Sequence, residues 1–226
     1  MPIQDLPQAI IMETDPLPGN ARLKSEYEAS DALAELRRPP ARSLRGACRE
    51  LGAALASTKR AQVKQAGVAI LELLSKFYGV RAPGLRVLDL RPRRVYEFYS
   101  YERFGDYTYN TQMIRVWMRT AVLGKVTSHR GLLNTLLHEF CHHLDRKLLG
   151  YPNTPHTRGF FHRVDGLYHL ALGTPVDQQI PLPWIKSGSV WRIDWRKMNA
   201  LKRRRPGGAG KRPPIRRGSS GNSSRR

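Results

Sequence analysis

The ten residues LLHEFCHHLD, Leu136 to Asp145, decide how the chain is read. Within them His138, Glu139 and His142 form the pattern His-Glu-x-x-His. Leu133, Leu137, Phe140, Leu144 and Leu148 recur at helical spacing, which predicts an amphipathic helix from near Ser128 to Gly150. On a helix, residues four apart project from one face about one turn apart. Two imidazoles so placed can hold one zinc ion (Zn2+) through ring nitrogens. Glu139 then points to the neighbouring side of the metal. There a carboxylate can take a proton from a zinc-bound water and later return one to a leaving amine. His138 and His142 are therefore candidate ligands and Glu139 the candidate general base. A helix that is merely rich in histidine would show the same residues, so the surroundings decide.

A catalytic zinc needs a third protein ligand and one open position. The candidates are His156, fourteen residues after His142, with His162, His169 and Asp145. All seven histidines lie between His129 and His169, a clustering that scattered surface histidines would not show. The loop YPNTP (151–155) gives the chain room to turn back before a further helix, HTRGFFHRVDGLYHLALG, ending at Gly173. His143 sits beside the motif face and reads as solvated or as packed behind a ligand. Asp145 reads as orienting a ligand, as capping a charge such as Arg146, or as neither. Cys141 faces away from the pair and reads as a small buried residue.

Upstream, residues 1–40 carry many prolines and no clear period, and read as an irregular segment. Leu44, Cys48, Leu51 and Leu55 predict one helix. Val63, Ala66, Ala69, Leu73 and Phe77 predict a second, with Ser57 or Thr58 as N-cap and Gly79 at its C-terminus. Leu85 to Leu90 reads as a strand. In GDYTYNTQMIRVWMRT, alternation at Tyr107 and Tyr109 and then at Ile114, Val116 and Met118 predicts a hairpin. VDQQIPLPW reads as irregular and SVWRIDW as a last strand or docking segment. Strands do not alternate with helices, which favours an α+β domain over residues 41–197.

The formal net charge is +21, and twelve of the 39 Lys and Arg residues lie between Arg196 and Arg226, where no Asp or Glu occurs. Residues 198–226 are Gly-, Pro-, Ser- and Arg-rich and read as a disordered basic tail. Its clusters are Lys202-Arg203-Arg204-Arg205, Lys211-Arg212 and Arg216-Arg217. Such a tail attracts polyanions, of which nucleic acid is the commonest, and binds phosphates without reading sequence. The two cysteines, Cys48 and Cys141, form no CxxC pair, which excludes a zinc ribbon and a redox motif. No apolar run spans a membrane and no signal peptide is expected, so the cytoplasm, with association to the nucleoid, is the expected compartment.

On LLHEFCHHLD and PHTRGFFHRV the chain resembles the SprT-like zinc metallopeptidases, the Spartan-related family, as a divergent member. The likeness covers about residues 60–175. That family carries His-Glu-x-x-His on one helix and a downstream His-Gly-x-x-Phe/Trp element whose histidine is the third zinc ligand. Here HTRGF supplies His156 and Phe160, with Thr157 in the usual place of the glycine and Gly159 further on. The resemblance implies a zincin-like fold: a small sheet or hairpin, the motif helix, then a second ligand-bearing helix. It implies that His138, His142 and His156 hold one zinc ion and that Glu139 is the general base. The group that stabilises the transition state stays open among Tyr151, Arg158 and Tyr168, each of which also has a plain structural reading.

The expected function is zinc-dependent hydrolysis of peptide bonds by Glu-assisted attack of zinc-bound water, with DNA-associated proteins among the substrates. The expected partners are a protein or peptide substrate and nucleic acid at the tail, with no membrane and a monomeric chain. The alternative is a nucleic-acid-binding protein with a structural zinc site, or a zinc hydrolase of something other than peptides.

Overall fold

Helix α4 (His129–Lys147) explains the rest of the architecture. Ser128 caps it, its hydroxyl accepting the Gly131 N–H at 3.0 Å. Leu132, Leu133, Leu136, Leu137, Phe140, Cys141 and Leu144 are all buried. Apolar residues on several faces require neighbours on several sides. The computed structural model, which describes residues 12–95 and 100–203, supplies them. Four elements are the main neighbours of α4. They are α2 (Ala41–Ala56), β4 (Gly105–Thr108), β5 (Met113–Arg119) and α5 (Arg158–Leu172). The remaining elements are α1 (Ala21–Ala32), α3 (Arg60–Tyr78), β1 (Gly84–Leu90), β2 (Arg93–Val95), β3 (Ser100–Glu102), a 3-10 turn at Val176–Gln178, β6 (Trp184–Ser187), β7 (Val190–Ile193) and α6 (Trp195–Arg203). The chain is α+β, as its element order implies.

The main sheet has the order β1-β5-β4. The expected hairpin forms: β4 runs antiparallel to β5, with Tyr107 opposite Ile114. Strand β1 lies parallel to β5, with Leu85 opposite Ile114 and Val87 opposite Val116. Central strand β5 buries Ile114, Val116, Trp117 and Met118, as a strand flanked on both sides should. Strand β4 is the outer strand, and α4 packs across β4 and β5.

Three expectations need correction. Residues 21–32, inside the segment read as irregular, form α1, capped by the Asn20 side chain on the N–H groups of Arg22 and Leu23. Only Tyr27 and Ser30 of α1 are buried, so no apolar stripe announces it. Helix α3 begins after Lys59, because Ser57 closes α2, and it buries Val63, Gly67, Ile70, Leu71, Leu74 and Tyr78. The expected stripe through Ala66, Ala69, Leu73 and Phe77 lies beside this one. The helix is apolar on adjacent faces, and the choice is made where Gly67 meets β1: a Cβ there would lie 2.6 Å from Leu85 Cδ2. Finally, helix α6 runs to Arg203 and buries Met198, so structure extends past residue 198, where the tail was expected to start. Residues 204–226 lie outside the described residues, and among those described no helix is long and apolar enough to cross a membrane.

Residues 12–15 form a strap along β7. Ile193 N–H donates to Met12 O at 3.1 Å and Thr14 N–H to Trp191 O at 2.9 Å. Glu13 pairs with Arg192 at 2.7 Å.

The end of α1 docks on the start of α5 through Gly159. A Cβ at Gly159 would lie 2.1 Å from Ser30 O, 2.7 Å from Asp31 O and 2.8 Å from Leu33 O. Those are backbone atoms and cannot swing aside. Gly159→Ala is therefore expected to destabilise the fold by about 1–3 kcal/mol through overpacking. The shift in urea midpoint measures it, and an unchanged midpoint would show that α1 is free to move off α5. The glycine that looked displaced in HTRGF has its own role here, as the seat of α1.

Candidate metal centre

His138 and His142 stand one helical turn apart on α4, with their Nε2 atoms 3.2 Å apart. The chain leaves α4, turns at Gly150 in the left-handed conformation (φ 73°), and returns. The return is pinned from several sides. Arg146 donates to Pro152 O at 2.7 Å, and Glu26 of α1 accepts both the N–H and the side-chain amide of Asn153. It delivers His156, whose Nε2 lies 3.1 Å from that of His138. The three histidines form a group whose ligand atoms all lie within 4.8 Å of one another. They are close enough to bind one metal ion.

His156 itself is not on a helix. Thr157 is the N-cap of α5, extended at φ −110° and ψ 172°, and its hydroxyl accepts the Phe160 N–H at 3.0 Å. The expected second ligand-bearing helix thus begins two residues after the ligand, because a capping residue must stand outside the helix it caps.

Burial pushes His138 down to about 3, with His156 adding to the effect. Burial likewise holds His142 well below its ordinary value, with His138 and His156 contributing. Both rings are therefore neutral and present lone pairs. Ligands at about 2.0–2.1 Å around a tetrahedral ion stand roughly 3.3 Å from each other. The observed separations of 3.1 and 3.2 Å fit that donor set.

The outward nitrogens are also held. His142 Nδ1 lies 3.0 Å from Thr154 Oγ1, which in turn lies 3.0 Å from Tyr109 Oη. With Nε2 as the lone pair, Nδ1 carries the proton and donates to Thr154. Thr154 is buried and has φ 44°, an uncommon conformation for a β-branched residue. His156 faces Asp15: its N–H donates to Asp15 Oδ2 at 2.8 Å, and its Nδ1 lies 3.6 Å from Oδ1. Phe160 closes the back of the group, stacked on His142 at 4.5 Å and edge-on to His138 and His156.

Glu139 is 6% exposed and lies against β4. A Cβ on Gly105 would come within 2.9 Å of Glu139 Oε1, so glycine there leaves space for the carboxylate. Burial pushes this carboxyl up to about 8; Asp106 adds to the rise and Arg103 opposes it.

The other candidate ligands are elsewhere. His162 accepts the Trp184 indole N–H at 3.2 Å, and His169 lies 3.4 Å from Asp165. Asp145 is paired with Arg163 at 3.0 Å. His143 is buried, not solvated: its Nε2 lies 2.8 Å from Arg81 O and its Nδ1 2.8 Å from Tyr107 Oη. Cys141 is buried as expected. Of the three groups considered for transition-state stabilisation, Arg158 is tied to Asp31 and covers the Trp191 ring. Tyr168 packs against His169. Tyr151 anchors the turn by donating its N–H to Asp145 O. In the basic C-terminus, Lys202 and Arg203 are exposed in the last turn of α6, while Arg204, Arg205, Lys211, Arg212, Arg216 and Arg217 lie outside the described residues.

Asp15, Tyr109, Thr154 and Gly105 had not been singled out as site residues. Thr154 stood in the right loop, two residues before His156, but nothing in its spacing marks its hydroxyl. Asp15 is 141 residues from His156 and carries no local signal.

Set against protein-family models, curated proteins and solved structures, the chain matches none.

Proposed function

We propose that the chain is a zinc-dependent peptidase with a zincin-like, SprT-like architecture, in which His138, His142 and His156 hold the ion and Glu139 is the general base. The observation that carries this reading is the three-histidine group, with the buried carboxyl of Glu139 next to His138 on the same helix. Among the described residues no fourth His, Cys, Asp or Glu joins the group. Three imidazole ligands with one position left for water is the catalytic pattern, whereas a structural zinc is closed by four protein ligands. This favours an enzyme over a nucleic-acid-binding protein with a structural zinc. Bound there, zinc would supply Lewis acidity, polarising a carbonyl and making water acidic near neutral pH.

The chain's own groups do the rest. Glu139 takes the proton of the attacking water and passes one to the departing amine. Thr154 and Tyr109 hold His142 in one tautomer. Among the described residues, β4 ends its sheet where Gly105 faces Glu139, so its outer edge offers backbone groups to an extended peptide. The basic C-terminus extends the proposal to proteins held on nucleic acid, because a cationic segment concentrates the chain on phosphate backbones.

The test is cleavage of an unfolded protein by the purified chain, stripped of metal and then given one equivalent of Zn2+. New peptide termini should appear with zinc and vanish when a chelator is added. A chain that takes up one zinc yet cleaves neither free nor DNA-bound protein would overturn the proposal. Nucleic-acid binding without cleavage would favour the alternative.

A further inference from the structure

We infer that Asp15 is a positioning residue for the metal centre, setting the orientation of the third ligand, His156, through its own carboxylate. The inference rests on the metal-binding part of the function proposed above.

The three ligands are not held alike. His138 and His142 ride on α4, whose backbone is set by its own hydrogen bonds. His156 lies in extended chain between Pro155 and the capping residue Thr157. Its side chain is 33% exposed, so burial does not lock it. One ring face stacks on Phe161 at 5.8 Å, which limits tilt but leaves the direction of the nitrogens unset.

Asp15 supplies what is missing. It grips the His156 backbone twice: His156 N–H donates to Asp15 Oδ2 at 2.8 Å, and Asp15 N–H donates to His156 O at 2.8 Å. The second carboxylate oxygen then faces Nδ1 at 3.6 Å, longer than a hydrogen bond but close enough to favour a proton on that nitrogen. A proton on Nδ1 leaves Nε2 as the lone pair that points at His138. A carboxylate behind a ligand histidine has this effect in metal sites generally: it sets the tautomer and raises ligand basicity.

Asp15 is in turn held by structure outside the metal group. Its carbonyl accepts the Tyr27 hydroxyl at 3.1 Å. Its neighbour Thr14 pairs with Trp191 in both directions, backbone N–H to carbonyl and hydroxyl from N–H, each at 2.9 Å. The strap thus ties the third ligand to β7.

The test compares three purified chains: wild type, Asp15→Asn and Glu13→Gln. Asparagine keeps an oxygen for the His156 N–H but places no anion opposite Nδ1. Glu13→Gln weakens the strap's ion pair with Arg192 without facing His156, and serves as the control for a merely structural effect. Zn2+ affinity is read by competition with a chromogenic chelator, ligand geometry by the visible spectrum of the Co2+ form, and folding by the melting temperature without metal. Asp15→Asn is expected to bind Zn2+ about 10–100-fold more weakly, with an altered Co2+ spectrum and an unchanged metal-free melting temperature. Glu13→Gln is expected to bind as wild type does. Wild-type affinity and spectrum in Asp15→Asn would overturn the inference, as would an equal loss in both variants. If the wild-type chain binds neither ion, the metal centre itself falls and the inference with it.

Discussion

Under the proposed function, Glu139→Gln is expected to keep the metal and lose peptide hydrolysis by about 10²–10⁴-fold, the usual contribution of a positioned proton-transfer group. Glutamine has the shape of glutamate, so the space left by Gly105 still fits it. It accepts no proton, so the attacking water loses its base. Glu139 lies outside the three-histidine group, and zinc content should therefore stay at one ion per chain. The metal-free fold should not suffer either. Burial holds the Glu139 carboxyl up at about 8, above its unfolded value of about 4.3. A carboxyl raised in the folded chain costs stability once the pH exceeds its unfolded pKa, because the unfolded state then ionises first. Glutamine removes that cost at neutral pH. The variant should thus show unchanged zinc content, a metal-free melting temperature no lower than wild type, and a collapsed kcat/KM. Cleavage at the wild-type rate would remove Glu139 from the mechanism.

Asp145→Ala is expected to be the most destabilising single change, by about 3–5 kcal/mol. Total stabilities are about 5–15 kcal/mol, so this is a large share. Both partners are fully enclosed, with side chains 1% and 0% exposed for Asp145 and Arg163. Arg163 NH2 donates to both carboxylate oxygens at 3.0 Å, and its NH1 donates to the carbonyls of Ser30 and Leu33. Removing Asp145 leaves a buried guanidinium without its counter-charge. Replacing both partners with Leu and Met should cost less, since no charge is then stranded. Part of the loss should persist, because the carbonyls of Ser30 and Leu33 lose their donor. Urea unfolding of the two variants decides the matter. A loss below about 1 kcal/mol in the single variant would mean that water reaches Arg163.

What the sequence revealed and what it hid divide along a physical line. Helix α4 was legible because Leu133, Leu137, Phe140 and Leu144 repeat with its own period, and the ligand pair rides on that period. The β4–β5 hairpin was legible from alternation at Tyr107, Ile114 and Val116. His156 as the third member of the histidine group came from a resemblance, since spacing alone left His162, His169 and Asp145 open. Helix α1 was hidden because it buries only two residues. The parallel pairing of β1 with β5 was hidden because it joins segments separated by the whole β2–β4 region. Asp145 showed that a charge within the motif can belong to another neighbour: its partner lies on α5 and carries no mark in the motif itself. Contacts set by local period can be read along the chain; contacts set by a distant partner cannot.

The strap has a consequence for how the chain is made. Synthesis exposes Asp15 early, His156 comes 141 residues later, and Trp191, the partner of Thr14, lies 177 residues from it. The entropy of closing so long a loop grows only slowly with its length, but closure cannot begin before β7 leaves the ribosome. A nascent chain stopped short of Val190 holds both α4 histidines and His156 while Thr14 still lacks its hydrogen bonds to Trp191. On the positioning role inferred for Asp15, an ion at the three histidines would be held tightest only once those bonds form, in a chain translated through the β6–β7 hairpin.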